Sequence, residues 1–398
     1  MASRYIIWFF NCFFIVLQAC SGKIISQETL MKQASELNYG NARLELYLPD
    51  IQGKRIGIVA NQASYISKTH LVDSLFSLGI NIKKIYTPEH GYRGNVEAGG
   101  TVADEKDART TAPIISLYGN KNKPTAEDLS NIDVIIFDLQ DVGVRFYTYI
   151  STLTFMMEAC AENNVRLIVL DRPNPNGFYI DGPVLDTNFR SFVGMHPVPI
   201  VYGMTIGEYA MMVNGENWLP NNLKCDLKII PLESYNRKEI VSLPIPPSPN
   251  LRDWQAIYLY PSLCLFEGTI VSVGRGTGFP FHVFGHPDYI QGSFNFTPIG
   301  KNVLLEGENC LGKNLIDYAE NYTKNLEQIE LKWLIECYNT LSPKLLFFNK
   351  YFDKLTGSEQ LREDIKAGKS IEEIRISWKP GIETFKKIRS KYLIYPDF

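Results

Sequence analysis

From residue 51 onward, short apolar runs alternate with longer amphipathic stretches. The runs "KRIGIVAN" and "DVIIFDLQD" are nearly continuous in apolar residues, as strands buried on both faces of a sheet are. The stretches "SKTHLVDSLFSLG" and "YISTLTFMMEACAENN" have the spacing of helices, and Gly79 is placed to end the first. Strands separated by helices predict an α/β fold, a doubly wound Rossmann-like domain whose parallel sheet is covered on both faces.

Weaker patterns predict further elements. "TAEDLSNI" predicts another helix, and "VPIVYGMTIGEYAMMVNG" predicts a strand followed by a helix that begins with a capping box, because Thr205 and Glu208 have the S/T-x-x-E spacing. The proline-rich "LPIPPSPNLRDW" is expected to be irregular. From about residue 300 helical patterns dominate, which indicates a smaller α+β domain at the C-terminal end.

The first twenty residues differ from the rest of the chain. Arg4 precedes an apolar run, Ile6 to Leu17, which is too short to span a bilayer stably and has the pattern of a secretory signal. "LQAC" fits a bacterial lipobox in which Cys20 is lipidated; an ordinary signal peptide with a chance cysteine is the alternative. We therefore expect an exported lipoprotein of a Gram-negative bacterium. We expect its acyl chains alone to anchor it to a membrane and the protein to face the periplasm or the cell surface.

Composition and the absence of certain motifs argue against several classes of ligand. The formal net charge of −3 gives no sign of a nucleic-acid partner, which a basic face would indicate. The turn after the first strand, "VANQASYIS", has no glycine, and neither GxGxxG nor GxxxxGKS/T occurs in the chain, which argues against dinucleotides and nucleoside triphosphates. His282 and His286 are near Pro280 and Gly285, so a helical zinc site is not expected there. We expect no cofactor and no metal.

Five of the seven cysteines lie beyond Cys20, and none of them belongs to a CxxC pair. Most have apolar neighbours, as in "TFMMEACA" and "SLCLFEG", so buried free thiols are expected. A disulfide cannot be deduced from their spacing.

Polar side chains follow four of the predicted strands. In an open parallel sheet, ligands bind beyond the carboxyl ends of the strands, so these side chains are expected to share one edge. Each has a structural alternative, such as a helix cap or a turn, and only their co-location indicates a site. The residues are Asn61 after the first strand, Glu89 and His90 after the second, Asp138, Asp141 and Arg145 after "DVIIF", and Asp171, Arg172 and Asn174 after "VRLIVL".

Carboxylates on either side of a cleft suit glycoside hydrolysis, in which one carboxyl group protonates the leaving oxygen. Glu89 is the best candidate for this acid, because it follows an apolar strand on a loop with glycines. Asp141 or Asp138 is its expected partner. A salt bridge from Glu89 to Arg93 or Arg145 is the structural alternative.

A second group of polar residues lies in "YPSLCLFEGTIVSVGRGTGFPF", where Glu267 and Arg275 flank an alternating, strand-like run. The guanidinium fork matches a carboxylate, so Arg145, Arg172 or Arg275 is a candidate clamp for an anionic substituent of a ligand.

Eight motifs occur in an order that resembles the NamZ-type exo-β-N-acetylmuramidases, a family long known as a domain of unknown function. The resemblance runs from about Leu44 to the end of the chain. The motifs are "PEHGYRG", "FDLQDVGVRFYTYI", "LDRPNPNG", "DGPVLD", "PVPIVYGMTIGE", "PPSPNL", "YPSLCLFEGT" and "SVGRGT".

The resemblance implies a Rossmann-like catalytic domain, a C-terminal auxiliary domain and a cleft between them. It implies release of terminal, non-reducing β-1,4-linked N-acetylmuramic acid from peptidoglycan fragments such as MurNAc-GlcNAc, with the lactyl carboxylate available to an arginine. The mechanism stays open: the 2-acetamido group could be the nucleophile, oriented by Asp141. The expected catalytic residues are Glu89, Asp141 and Asp138, and the expected substrate-binding residues are Asn61, His90, Arg93, Gln140, Arg145, Tyr147, Asp171, Arg172, Asn174, Glu267 and Arg275.

Two other functions stay open at this point: a lipoprotein that binds muropeptides or sugars without cleaving them, and a β-N-acetylhexosaminidase of different specificity. The expected organisation is a signal peptide at 1–20, a linker and extension at 21–43, the Rossmann-like catalytic domain at 44–235, a loop-rich segment that completes the cleft at 236–300, and the auxiliary domain at 301–398.

Overall fold

A computed structural model describes residues 37–89, 91–92, 105–323, 327–342 and 345–398. Its largest element is a seven-stranded sheet, and a three-stranded sheet follows later in the chain. The strands are β1 Arg55–Ala60, β2 Tyr65–Ile66, β3 Thr69–His70, β4 Asn81–Thr87, β5 Glu105–Lys106, β6 Pro113–Ser116, β7 Val134–Asp138, β8 Arg166–Leu170, β9 Leu227–Ile230, β10 Val283–His286, β11 Phe294–Phe296 and β12 Cys310–Asn314.

Helices separate these strands in the first half and dominate the last 70 or so residues. The α-helices are Leu48–Ile51, Leu71–Ser77, Tyr149–Asn163, Ile206–Gly215, Trp254–Leu263, Ile316–Tyr318, Lys332–Leu341, Phe352–Thr356, Gln360–Lys366 and Ile371–Arg389; Ala319–Thr323 is a π-helical turn, and short 3-10 helices cover Gly40–Ala42, Leu44–Leu46, Thr187–Phe189, Pro220–Asn222 and Cys264–Gly268.

The large sheet has the order β5-β6-β4-β1-β7-β8-β9. All neighbours are parallel except the short edge strand β5, which runs antiparallel to β6. Without β5, this is the 3-2-1-4-5-6 order of doubly wound Rossmann folds, whose ligands bind where the order reverses, here between β1 and β7. The predicted fold class is therefore confirmed.

Successive residues of the central strands pack on opposite faces of this sheet, as the two-residue period of a strand requires. Ile136 joins the core beneath Leu71–Ser77, whereas Phe137 joins the core beneath Tyr149–Asn163. Because both faces are covered, every residue of β7 is buried. This explains why the strands appear as continuous apolar runs in the sequence.

The helix Ile206–Gly215 begins with the predicted capping box: the Thr205 side chain accepts from the Glu208 amide, and the Glu208 side chain accepts from the Thr205 amide. Gly79 has a φ of 76° just beyond Leu71–Ser77, as predicted for the residue that ends that helix.

The predicted helix "TAEDLSNI" is wrong, since residues 126–131 form turns. The carboxylate of Asp128 accepts hydrogen bonds from Thr125, and Asn131 adopts a left-handed φ of 60°. The Lys84 ammonium donates to the carbonyl oxygens of Glu127 and Asp128, so these carbonyls are bound by a side chain and do not continue a helix.

Two predicted strands are reduced to isolated bridges. In "VPIVYG", Val201 makes single bridges to Val144 and to Asp181. In the run between Glu267 and Arg275, single bridges start from Thr269 and Ser272. Both runs are largely apolar and buried, but no other segment that the structure describes pairs with them for more than one residue.

The C-terminal part is α+β. Its antiparallel sheet, β10-β12-β11, uses residues 283–314 and so joins chain from both sides of position 300, where the sequence predicts that the auxiliary domain begins. The apolar core of this part is continuous with the core on one face of the large sheet. Among the residues described, none of the helices combines the length and apolar character that crossing a bilayer requires.

The five cysteines beyond position 20 are buried, and their thiols are free, as the sequence predicts.

Candidate active site

A cleft of about 950 Å³ opens at the carboxyl edge of the large sheet. Glu89 lines it after β4, Tyr118 after β6, and Tyr147 and Tyr149 after β7. These side chains therefore come from strands on both sides of the point where the strand order reverses, the usual ligand position in this fold.

The C-terminal half of the chain completes the cleft. The turn at Ser248–Arg252, the acid Glu267 and the turn at Arg275–Thr277 all line it. Residues 299–304 and the helix Phe352–Thr356 with its preceding Tyr351 add further lining side chains. The cleft thus lies between the large sheet and the C-terminal part of the molecule.

Glu89 is half-buried in this cleft and is hydrogen-bonded to the Tyr118 hydroxyl. Burial, followed by the charge and hydrogen bond of Glu89, raises the pKa of Tyr118 to about 12. The phenol therefore stays protonated and donates to the carboxylate. The structure places Glu89 where the sequence predicts, at a strand end in a polar and aromatic cleft.

Glu267 is the second carboxylate that lines the cleft among the described residues. It forms an ion pair with the guanidinium of Arg275, which also lies over the Phe281 ring at 5.1 Å from its centroid. The Cys264 thiol is 3.6 Å from Glu267 Oε2. The two residues that the sequence groups together are thus in contact, and Arg275 is already bound to a carboxylate of the protein.

Tyr147 and Tyr149 form the floor beneath the proline-rich loop. Their rings meet edge to face at 4.7 Å, and both hydroxyls donate to the Pro247 carbonyl, at 2.9 and 3.3 Å. Asn61 is fully buried and donates to the Tyr149 hydroxyl at 2.8 Å. Tyr147 is therefore at the site as predicted, whereas Asn61 supports the site from behind and does not line the cleft.

Asp138 does not line the cleft. It is fully buried at the end of β7, and both of its oxygens accept hydrogen bonds from Arg172, at 2.6 and 3.0 Å. Asn41 donates a further bond to Oδ2 at 3.1 Å. The two residues predicted to act on substrate are therefore bound to each other, and neither lines the cleft.

Asp171 is likewise internal. Its oxygens accept from the Thr205 hydroxyl at 2.8 Å, the Gly207 amide at 2.8 Å and the Tyr395 hydroxyl at 2.6 Å. Burial raises the pKa of this carboxyl to about 7. Asp171, predicted to bind substrate, thus fixes a helix start and the C-terminal segment and does not line the cleft.

Asn174 and Gln140 hold backbone in place. Asn174 donates to the Met204 carbonyl at 2.8 Å, and Gln140 donates to the Pro173 carbonyl at the same distance. Both were predicted to bind substrate, and both are buried and outside the cleft lining.

Arg145 is fully buried and faces carbonyl oxygens, with no described carboxylate beside it. Its Nη1 donates to Pro183 and Val198, and its Nη2 donates to Leu355 and Thr356 at 3.0 and 2.7 Å. Burial lowers the pKa of this guanidinium to about 9. Arg145 joins the large-sheet part to the end of a C-terminal helix and is not the clamp predicted for a ligand carboxylate.

Asp141 lies just behind the cleft. It is buried and accepts hydrogen bonds from the Tyr202 hydroxyl and from the Gly143 amide, the latter at 2.8 Å. Burial raises the pKa of its carboxyl to about 6. Asp141 and Glu89 are both near enough to Tyr147 to raise its pKa, after burial and Tyr149. Asp141 therefore lies next to the cleft but does not line it.

Three of the predicted residues, His90, Arg93 and Cys20, lie outside the described residues.

Within the described ranges, no group of three or more His, Cys, Asp and Glu side chains could hold a metal ion. His282 contacts Asp253 at 2.8 Å, and His196 stacks on Trp218.

Sequence reasoning missed much of the lining. Tyr118 lies just after the strand β6, so the rule that selected Glu89, a polar residue at a strand end, could have selected it too. Asn250, in the motif "PPSPNL", and Arg252 beside it lie in the segment 236–300 that the sequence predicts to complete the cleft, but neither is among the predicted site residues. The others come from loops and a short helix outside the eight motifs: Ser191, Phe192, Lys301, Asn302, Asn349, Tyr351 and Lys354.

Comparisons with known proteins show which family the chain resembles along its length. Residues 56–255 match the family model described as "Exo-beta-N-acetylmuramidase NamZ, N-terminal", and residues 258–395 match its C-terminal counterpart. The chain is 37% identical to the peptidoglycan beta-N-acetylmuramidase NamZ of Bacillus subtilis (strain 168), over 88% of this chain and 90% of that protein.

Two solved structures from Bacteroides fragilis NCTC 9343 are similar along most of the chain. One DUF1343 family protein superimposes with a TM-score of 0.84 at 43% identity, covering 91% of this chain and 99% of that one. A second gives 0.78 at 29% identity, with the same coverage. Together, the two family models and these relatives show that this chain belongs to the NamZ family of exo-β-N-acetylmuramidases.

Proposed function

We propose that this protein hydrolyses the β-1,4 bond that links a non-reducing terminal N-acetylmuramic acid to the rest of a peptidoglycan fragment. The family is one of exo-acting glycoside hydrolases, and the relative from Bacillus subtilis acts on peptidoglycan. The observation that carries the proposal is the half-buried carboxyl group of Glu89, which lies in a large cleft at the switch point of the sheet.

Glu89 has the role of general acid. It is the one carboxyl group that a strand of the described sheet delivers into the cleft. Protonating the glycosidic oxygen as the bond breaks is the step that a positioned carboxyl group speeds most in such reactions. The hydrogen bond from the Tyr118 hydroxyl fixes the orientation of this carboxyl group. After proton transfer, it stabilises the negative charge that is left on the Glu89 carboxylate.

Glu267 has the complementary role. The anomeric carbon becomes positive as the bond breaks, and a carboxylate nearby stabilises that charge. The ion pair with Arg275 fixes the orientation of Glu267. Asp138 is too far into the core for this task, because both of its oxygens already bind Arg172.

The lining is suited to a sugar ring. It combines aromatic faces with amide and hydroxyl groups, the mixture typical of small-molecule sites. The aromatic residues that line the cleft are Tyr118, Phe146, Tyr147, Tyr149, Phe192, Tyr260, Phe281 and Tyr351.

The protein acts outside the cytoplasm, tethered to a membrane through a lipid on Cys20. The "LQAC" lipobox and the short apolar run before it support this proposal. A test is metabolic labelling with a palmitate analogue. Label that enters the wild type and not Cys20→Ala supports the anchor, and equal labelling of both contradicts it.

The activity is tested by incubating the protein without its residues 1–20 with a chromogenic β-N-acetylmuramide as the substrate. Release of the chromophore is expected. Tight binding without release would instead favour a sugar-binding lipoprotein. Faster release from the matching β-N-acetylglucosaminide would favour a hexosaminidase of different specificity.

A further inference from the structure

Three cationic side chains line the cleft in addition to Arg275. Arg252, Lys301 and Lys354 are exposed, and none of them forms an ion pair with any other residue that the structure describes. They belong to three separate segments of the chain. The cleft therefore presents three cations whose charge the described part of the protein does not neutralise.

Lys354 lies in the part of the cleft that contains the carboxyl groups of Glu89 and Glu267. It lies one helical turn after Tyr351, and residues at i and i+3 share a helix face. Glu267 and Glu89 are both near enough to Tyr351 to raise its pKa, after burial and Cys264. Lys354 is therefore near the place where the reacting sugar is expected to lie.

The helix that carries Lys354 is held in place from below. Its last carbonyls, Leu355 and Thr356, accept hydrogen bonds from the buried Arg145 at 3.0 and 2.7 Å. Leu355 itself is buried and also lines the cleft. The lysine stem thus starts from a fixed backbone, which reduces the entropy that is lost when its ammonium group binds a ligand.

The other two cations are anchored to site residues as well. The loop with Lys301 is fixed by the Ile299 amide, which donates to the Gly276 carbonyl at 3.0 Å beside Arg275. The loop with Arg252 is fixed through Pro247, whose carbonyl accepts from Tyr147. Both loops line the same cleft.

The arginines expected from the sequence to bind a ligand carboxylate are already occupied. Arg145 donates to four carbonyl oxygens, Arg172 is paired with Asp138, and Arg275 is paired with Glu267. A carboxylate on the substrate would have to compete with those partners, whereas Lys354 has no such partner among the described residues.

We propose that Lys354 binds the lactyl carboxylate of the muramic acid residue, with Lys301 and Arg252 adding long-range attraction from other parts of the cleft lining. The proposal rests on the muramidase function proposed above. Lys354 then distinguishes a muramic acid from a glucosamine, because the two sugars differ by the lactyl group and its negative charge.

The test compares two substrates on four enzymes. The substrates are a chromogenic β-N-acetylmuramide with a free lactyl carboxylate and the same compound as its neutral methyl ester. The enzymes are the wild type, Lys354→Met, Lys354→Arg and the control Lys379→Met, which removes an equally exposed charge from the helix Ile371–Arg389, outside the cleft. The readout is the ratio of kcat/KM for acid over ester.

The wild type is expected to prefer the acid, and Lys354→Met to lose that preference by at least ~10-fold, the effect of one charged hydrogen bond. Lys354→Arg should recover most of it, and Lys379→Met should match the wild type. If well-folded Lys354→Met keeps the acid-to-ester ratio of the wild type, the proposed role of Lys354 is wrong. Hydrolysis of the muramide by the wild type would still support the proposed muramidase activity.

If the wild type hydrolyses neither compound, the proposed function fails, and calorimetry still tests the site. Free N-acetylmuramic acid should bind the wild type more tightly than Lys354→Met, again by at least ~10-fold. Equal affinities would exclude Lys354 as the group that binds the lactyl carboxylate.

Discussion

Arg172 donates two hydrogen bonds to Asp138, 2.6 Å from Nε to Oδ1 and 3.0 Å from Nη2 to Oδ2. Both side chains are buried, so removing one partner leaves an uncompensated charge in the core. We expect Asp138→Ala to lower the free energy of unfolding by ~3–5 kcal/mol, as measured by urea denaturation. The loss of activity should follow the loss of folded protein.

The double variant Asp138→Leu with Arg172→Met is the control. Replacing a whole buried ion pair by apolar side chains is often close to neutral. It should therefore be more stable than Asp138→Ala. If folded Asp138→Ala binds substrate normally but has lost its kcat, Asp138 acts in the reaction itself and the structural interpretation is wrong.

Glu89→Gln removes the proposed acid and keeps the shape of the side chain. We expect kcat to fall by at least ~10²-fold, the low end for general acid catalysis, with little change in melting temperature. Glu127→Gln is a matched control, since Glu127 is exposed and does not line the cleft. Near-normal turnover by Glu89→Gln would exclude Glu89 from the mechanism.

Tyr118→Phe removes only the hydroxyl group that is bonded to Glu89. A hydrogen bond to a charged group contributes ~1.5–3 kcal/mol, so kcat is expected to fall roughly 10-fold or more while KM changes little. Tyr118→Leu also removes the ring and should raise KM in addition. Should Tyr118→Phe raise KM and leave kcat unchanged, the hydroxyl would bind substrate and would not position Glu89.

The sequence predicts the sheet and the edge at which the site lies, because strand periodicity and the doubly wound topology depend on local patterns. It predicts Glu89 for the same reason. It does not show which way a side chain points once the strand has ended. Asp138 and Arg172 leave neighbouring strands and turn toward each other, whereas Glu89 leaves β4 and faces the cleft.

The C-terminal half of the lining is harder to predict. Tyr351 and Lys354 reach the cleft because the helix Phe352–Thr356 packs against Cys264–Gly268 and its last carbonyls bind Arg145. That contact joins residues 210 and 211 positions apart in the chain. A motif describes residues that are neighbours in sequence, so it cannot predict a contact between residues so far apart in the chain. For this reason, the sequence suggests that Arg145 binds a ligand.

Asp141 offers a test of pH dependence. Burial raises the pKa of its carboxyl from 3.8 to about 6, so between these values the folded protein binds more protons than the unfolded chain. Stability therefore falls as the pH rises through this window, and it stays lower above pH 6. Asn in its place does not titrate and can still accept from the Tyr202 hydroxyl and the Gly143 amide.

We therefore expect Asp141→Asn to show a weaker decline in stability between about pH 4 and 6, and to exceed the wild type by ~1–3 kcal/mol at pH 8. Urea denaturation at a series of pH values measures both. Because Asp141 does not line the cleft, kcat should stay within ~10-fold of the wild type, less than the change expected when a general acid or base is removed. A parallel stability profile would mean that Asp141 is ionised throughout, and a kcat loss like that of Glu89→Gln would instead make it a catalytic residue.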